Sequence, residues 1–208
     1  IDGQNTFAGG TTITSGTLIL GHQQGISTSG AYGGRLTVAG GTFDVNGRTN
    51  YTNVNQAGAP STWLTTATVT LGGLAGATPE ITDNGAPPNG IAFAAATALR
   101  YDATNNPGTA TISALWSQVG TTNPGGTRTV EVGDSAATNT ELDFTGGLGD
   151  PAAWDGRHIT IRKTGAGTMR ISSENTFPRL QVSAGTLPVN HADALGTSRT
   201  TPGGPTHR

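Results

Sequence analysis

A five-residue pattern, Gly-Thr-apolar-x-apolar, occurs four times in this 208-residue chain. The copies are Gly16-Thr17-Leu18-Ile19-Leu20, Gly41-Thr42-Phe43-Asp44-Val45, Gly167-Thr168-Met169-Arg170-Ile171 and Gly185-Thr186-Leu187-Pro188-Val189. Ile13, Val38 and Val182 each stand three positions ahead of one of these glycines. A longer block also returns: Asn5-Thr6-Phe7 as Asn175-Thr176-Phe177, and Ile13-x-x-Gly16-Thr17-Leu18 as Val182-x-x-Gly185-Thr186-Leu187, at offsets of 170 and 169. Neighbouring copies are close together: the step from Gly16 to Gly41, and the shorter one from Gly167 to Gly185, both fall near the period of the shortest repeat architectures. A strand-turn unit of about 20 residues cannot bury its own apolar side, so it must stack on copies of itself.

Between the copies the chain alternates apolar and polar residues, the period of a strand with one buried face. Thr68-Val69-Thr70-Leu71, Ile91-Ala92-Phe93, Leu99-Arg100-Tyr101, Thr129-Val130-Glu131-Val132, Leu142-Asp143-Phe144 and Ile159-Thr160-Ile161 are short runs of this kind. Gly, Pro and Asn clusters such as Asn105-Asn106-Pro107-Gly108 and Asn123-Pro124-Gly125-Gly126 punctuate them. Alternation points Ile13, Leu18, Leu20, Val38, Phe43, Val45, Met169, Ile171, Val182, Leu187 and Val189 inward, with Thr, Ser, Asn and Arg outward. Glycine ahead of each Gly-Thr unit is expected to supply a positive φ or a tight corner. Ala94-Ala95-Ala96-Thr97-Ala98 could form a helical turn, and the stretch from Gly47 to Thr62 reads as a loop.

Composition agrees with a turn-rich β protein that has a narrow core. Glycine accounts for 33 residues, hydrophobic residues for 33% and aromatics for 5%. Charged residues make up only 12%, too few for solvated disorder. The net charge of −2 and the scattered arginines leave no basic stripe for nucleic acid. Cysteine is absent, which removes disulfides and thiolate metal sites. No apolar run reaches the ~18 residues of a membrane-spanning helix. The chain opens without Met or a leader, which points to processing or to an excerpt. The expected fold is all-β: a parallel β-helix (β-solenoid) of roughly nine short rungs with loop excursions, taking rungs of about 20–25 residues. Residues 1–195 form the single solenoid module; residues 196–208 form a loop, a linker or an exchanged strand. Whether Gly47 to Gly125 joins the same solenoid is left open by the pattern.

The same residues resemble the autotransporter-associated β-strand repeat, or passenger-associated transport repeat. Its first half corresponds to Ile159 through Ser172, and its second half to Glu174 through Val189, with another second half at Asp2 to Gly21. Pro178-Arg179 stand where the family has a Gly-Gly turn. The resemblance implies a parallel β-helix, exported to the bacterial cell surface or beyond, in a scaffold or adhesive role without catalytic residues.

Candidate chemistry is sparse. Gly133-Asp134-Ser135 matches a serine-protease nucleophile triplet, but Ala136-Ala137 follow where a glycine should shape the oxyanion hole. Gly21-His22-Gln23 falls one glycine short of a pectin-cleaving motif, with no Asp-Asp pair to accompany it. Gly146-Gly147-Leu148-Gly149-Asp150-Pro151 nearly matches a calcium nonapeptide, and Asp102 to Gly108 loosely resembles a helix-loop calcium site with Ser113 in place of the bidentate glutamate. His22, His158, His191 and His207 have no metal-ligand spacing, and Asn50-Tyr51-Thr52 is a glycosylation sequon. Trp63, Trp116 and Trp154 could stack on sugars, with core packing as the favoured role.

The expectation is therefore a non-enzymatic extracellular module that stacks or joins end to end into a fibre. It has no catalytic, cofactor-binding or metal residues. Its partners are copies of itself through sheet edges, with surface glycans or host matrix as further candidates, and neither nucleic acid nor membrane insertion is expected. An adhesin or passenger domain is the second reading, and a polysaccharide-active β-helix enzyme the third.

Overall fold

The structure, a computed structural model, describes residues 2, 10–21, 35–47, 61–64, 68–84, 90–93, 97–118, 127–149, 160–175 and 179–195. Seventeen short strands wind through these residues as seven successive rungs. Rung 1 is β1 (Thr11–Ile13) and β2 (Thr17–Ile19); rung 2 is β3 (Leu36–Val38), β4 (Thr42–Asp44) and β5 (Ser61–Leu64). Rung 3 is β6 (Val69–Gly72), β7 (Glu80–Thr82) and β8 (Gly90–Phe93); rung 4 is β9 (Thr97–Asp102), β10 (Ala110–Ile112) and β11 (Leu115–Gln118). Rung 5 is β12 (Thr127–Val132), β13 (Leu142–Phe144) and β14 (Leu148–Gly149); rung 6 is β15 (Thr160–Thr164) and β16 (Met169–Ile171). Rung 7 holds β17 (Arg179–Val182) and two isolated bridges at Thr186 and Val189.

The strands stack into three sheets, with orders β1-β3-β6-β9-β12-β15-β17, β2-β4-β7-β10-β13-β16 and β5-β8-β11-β14. Neighbouring strands run parallel throughout, as a chain coiling in one direction requires. This is the parallel β-solenoid that the repeat demands. The middle of the chain belongs to it: β5 through β11 lie in rungs 2 to 4, distributed over all three sheets.

Rung length explains why seven rungs are described where the motif spacing suggests nine. Ile13 pairs with Val38, and Lys163 with Val182, at the short steps that the Gly-Thr motifs mark near the two ends of the chain. In between, Val38 pairs with Leu71 and Val130 with Lys163, steps lengthened by a further strand and its turn. The longer rungs from 2 to 5 make a third side, the short sheet of β5, β8, β11 and β14. Ser61 and Thr62 sit in β5, where a loop was expected, and Thr97 and Ala98 open β9 in place of a helical turn. Both short runs have an extended parallel neighbour to pair with, and that tertiary pairing overrides weak local preference.

The core is a set of columns running along the solenoid. Ile13, Val38, Leu71, Tyr101 and Val132 stack in one inward row of the first sheet. Leu18, Phe43, Ile81, Ile112, Phe144 and Ile171 stack in the second sheet. Trp116, fully buried on β11, meets Phe144 edge-on at 5.8 Å and 85°, so this tryptophan fills the core. On the outer side Thr12, Thr37 and Thr70 form a stacked threonine row.

The glycines of the Gly-Thr motif serve two different needs. Gly16 has φ +72° and Gly185 φ +71°, conformations that side chains disfavour. Gly41 is required for space: a Cβ there would lie 2.5 Å from the Gly16 carbonyl oxygen and 2.6 Å from Ile13 Cγ2. The corner of one rung thus nests on the corner of the rung before. We expect Gly41→Ala to cost about 1–3 kcal/mol through overpacking. Gly16→Asn should cost a few tenths, because asparagine tolerates the left-handed region and nothing crowds that position. Urea denaturation of the two variants checks the difference.

Candidate functional site

Among the described residues, one group of buried polar side chains lies in the corner where the chain turns from the first sheet into the second in rungs 4 to 7. Its members are Tyr101, Ser135, Glu141 and Lys163, all buried. Lys163 is the single lysine of the chain. It follows Ile161 by two residues on β15, so strand alternation places it on the inward face, between Val130 of rung 5 and Val182 of rung 7. An ammonium in an apolar column must find acceptors. Its Nζ donates to the carbonyl of Gly165 at 3.1 Å and to that of Ala184 at 2.9 Å. These carbonyls belong to the corners of rungs 6 and 7, so one side chain ties the two together. A Cβ on Gly185 would sit 2.5 Å from this Nζ, so the glycine corner also makes room for the cation.

Glu141 performs the complementary task. Its carboxylate accepts from the backbone N–H of Ser135 at 3.2 Å and from that of Thr168 at 2.6 Å, joining the corners of rungs 5 and 6. Ser135 Oγ donates to the Pro107 carbonyl at 2.6 Å, and the Tyr101 hydroxyl lies 2.9 Å and 2.8 Å from the carbonyls of Pro107 and Gly108. Burial pulls the Lys163 ammonium below the ordinary lysine pKa, with the Glu141 charge pulling part of the way back. Burial pushes Tyr101 up to about 12; the Ser135 hydrogen bond opposes the rise and the Glu141 charge adds to it.

A second clamp sits at Asn175, the asparagine of the returning Asn-Thr-Phe block. It is buried, and its Oδ1 accepts from Leu148 N–H at 2.5 Å. Its Nδ2 donates to the carbonyls of Ser173 at 3.0 Å and Ala194 at 2.6 Å. One side chain amide therefore spans rung 5, rung 6 and the turn after rung 7.

Rung 7 itself is open. Val182 and Val189 belong to the inward rows, through register with Lys163 and Ile171, yet are 46% and 40% exposed. Leu187 is half-buried against the core. Register gives these three the inward direction expected of them, and the two valines are exposed in this last described rung.

The residues singled out for chemistry are dispersed. Ser135 is a buried corner residue whose hydroxyl is held by Pro107. Asp102 Oδ1 accepts from Thr104 N–H and Oγ1, while Asn105 and Asn106 adopt φ +64° and +52°. Asn105 then donates to the Gly73 carbonyl and Asn106 accepts from Ala136 N–H, which makes this loop a corner between rungs. Gly146 and Gly147 form a turn into β14. His191 is exposed after rung 7. His22, His158, His207, Asn50-Tyr51-Thr52, Asp150-Pro151, Trp154, Pro178 and residues 196–208 lie outside the described residues, as does the Trp63 side chain. Among the described residues, no three His, Cys, Asp or Glu side chains converge as a metal site.

Sequence reasoning passed over the polar corner. The signal was present in Ile159-x-Ile161-x-Lys163, whose period puts the lysine on the buried face. For Glu141 nothing local marks its burial: it stands just ahead of β13, and its donors are Ser135, 6 residues back in its own rung, and Thr168, 27 residues on in the next.

Comparison with known families finds one likeness, at the two ends of the described solenoid. A family model described as the passenger-associated-transport-repeat matches residues 1–20 and 161–189. These two stretches are similar to the passenger-associated transport repeat. The second match contains Lys163, Asn175 and both corners that Lys163 bridges; the first ends with rung 1. Neither a curated protein nor a solved structure gives a significant match. The repeat associates the chain with secreted or cell-surface passengers.

Two outcomes follow for the corner. Lys163→Ala removes packed methylenes and two donors, and should cost about 2–4 kcal/mol in urea denaturation. Lys163→Met, which keeps the volume, should cost about half as much. For Tyr101 the folded pKa exceeds the unfolded value of 10.0. Its stabilisation is therefore full below pH 10 and is lost as pH climbs toward about 12, where the unfolded chain has released its proton. Lys163 works in the opposite direction: stability rises as pH climbs through the lysine range, because the unfolded chain holds that proton longer. Between pH 10 and 12, Tyr101→Phe should thus retain on the order of 2 kcal/mol that the parent loses. Stability curves of both proteins across that range test this.

Proposed function

We propose that this chain is a non-enzymatic structural segment of a secreted or surface-displayed passenger, joined end to end with further rungs into an elongated extracellular fibre. The carrying observation is the contrast between a filled interior and an unfinished last rung. From rung 2 to rung 6 the inward columns are closed by apolar side chains, and the buried polar groups Lys163, Glu141 and Asn175 spend their hydrogen bonds on backbone groups of neighbouring rungs. Such groups work as ties between rungs. Rung 7 keeps its inward valines half-exposed, the condition of a solenoid that continues through that side. The passenger-associated repeat supports placing the segment outside the cell.

Surface labelling of intact cells with an antibody against this segment, followed by external protease, tests the reading. The segment should be labelled on the cell or recovered from the medium, and should be cut only after denaturation. Retention in the cytoplasm, or cleavage of a polysaccharide by the purified chain, would overturn it.

A further inference from the structure

The open face of rung 7 has an internal twin whose cover is known. With an offset of 169, Leu180, Val182, Leu187 and Val189 correspond to Thr11, Ile13, Leu18 and Leu20 of rung 1. Ile13 is 7% exposed and Leu20 is fully buried, against 46% for Val182 and 40% for Val189. Rung 2 lies directly beneath the twin. Leu36 pairs with Thr11, Val38 with Ile13 and Phe43 with Leu18. Backbone bonds that fasten rung 2 in place include Ala39 N–H to the Ile13 carbonyl at 2.8 Å, Thr42 N–H to the Gly16 carbonyl at 2.8 Å, and Leu20 N–H to the Asp44 carbonyl at 3.0 Å. The equivalent groups on rung 7 are the carbonyls of Val182 and Gly185 and the N–H of Val189.

From this twin we infer that the last rung is a docking edge for one more parallel rung with the face of rung 2, reading Leu-x-Val-x-x-Gly-Thr-Phe-x-Val as residues 36–45 do. The inference rests on the reading of the chain as an extending passenger and names the partner of its open end. Such a rung places its leucine and valine against Leu180 and Val182 and its phenylalanine against Leu187. Residues 196–208, Gly-Thr-Ser-Arg-Thr-Thr-Pro-Gly-Gly-Pro-Thr-His-Arg, hold no apolar side chain beyond two prolines and cannot supply it. A second copy of the chain would offer rung 1, with Thr11 in place of leucine and Leu18 in place of phenylalanine, a poorer match for an apolar face. Pro188 does not obstruct the edge. Its missing N–H falls on the side facing rung 6, between the bonds that Thr186 and Asn190 donate to Gly167 and Ile171.

The experiment appends a copy of residues 35–47 after Arg208, so that residues 191–208 act as the linker. Amide exchange is then read at Leu187 and Val189 in the extended and unextended chains. Both amides should slow by at least tenfold in the extended chain. They should return to the unextended rate when the appended copy carries L36D and F43D. Unchanged exchange, or equal slowing with the double substitution, would overturn the inference. So would protection of these amides in the unextended chain that grows with protein concentration, since the occupant would then be a second copy. Failure here leaves surface labelling of the parent untouched, and a cytoplasmic parent leaves the docking result untouched, so the two readings fail separately.

Discussion

No rung of this chain can bury its own apolar side. Each contributes only a few inward side chains, and these are enclosed by the rungs before and after. The whole structure depends on this vertical dependence. It fixes the parallel pairing, because the chain must return to the same side after each turn. It fixes the register too, because a slip of one residue would turn Val38, Leu71 and Val132 to solvent and bring the threonines inward. The close seating of successive corners is the geometric expression of the same dependence, and the crowding at Gly41 is its clearest trace.

Hydrogen bonding follows the same direction. In a globular domain a buried lysine is commonly answered by a carboxylate at ion-pair distance. Here Lys163 is answered by two carbonyls from successive corners, and Glu141 by two backbone N–H groups from successive corners. The charges act mainly on the backbone, and act along the solenoid axis. The exposed Arg100–Glu131 pair, at 3.9 Å, contributes little beside them.

Much of the fold was legible because its unit is short and repeats. The alternating runs at Val69 to Leu71, Leu99 to Tyr101, Thr129 to Val132 and Leu142 to Phe144 are strands, and the four Gly-Thr motifs mark corners. What the pattern could not give was the third side of the longer rungs. Ser61 to Leu64 has no local mark strong enough to distinguish a strand from a loop, and it becomes one by pairing with Gly90 to Phe93. The described residues make seven rungs because the motif spacing at the two ends does not carry over to the middle. The polar corner was half legible. Alternation points Lys163 inward, but one of its two acceptors lies on a turn 21 residues later, and one of the two donors to Glu141 comes from the next rung.

Pro188 gives the last rung an uneven grip. The first sheet holds rung 7 by a four-residue ladder from Arg179 to Val182, whereas the second sheet narrows there to two bridges, at Thr186 and Val189. Across that thinned seam the side chains of Lys163 and Asn175 supply attachments that the backbone does not, one at Ala184 and the other at Ala194. A pull on the end of the chain would therefore meet a hinge before it met a wall: the second-sheet side would peel first, swinging on the first, with a lysine and an asparagine as its rivets.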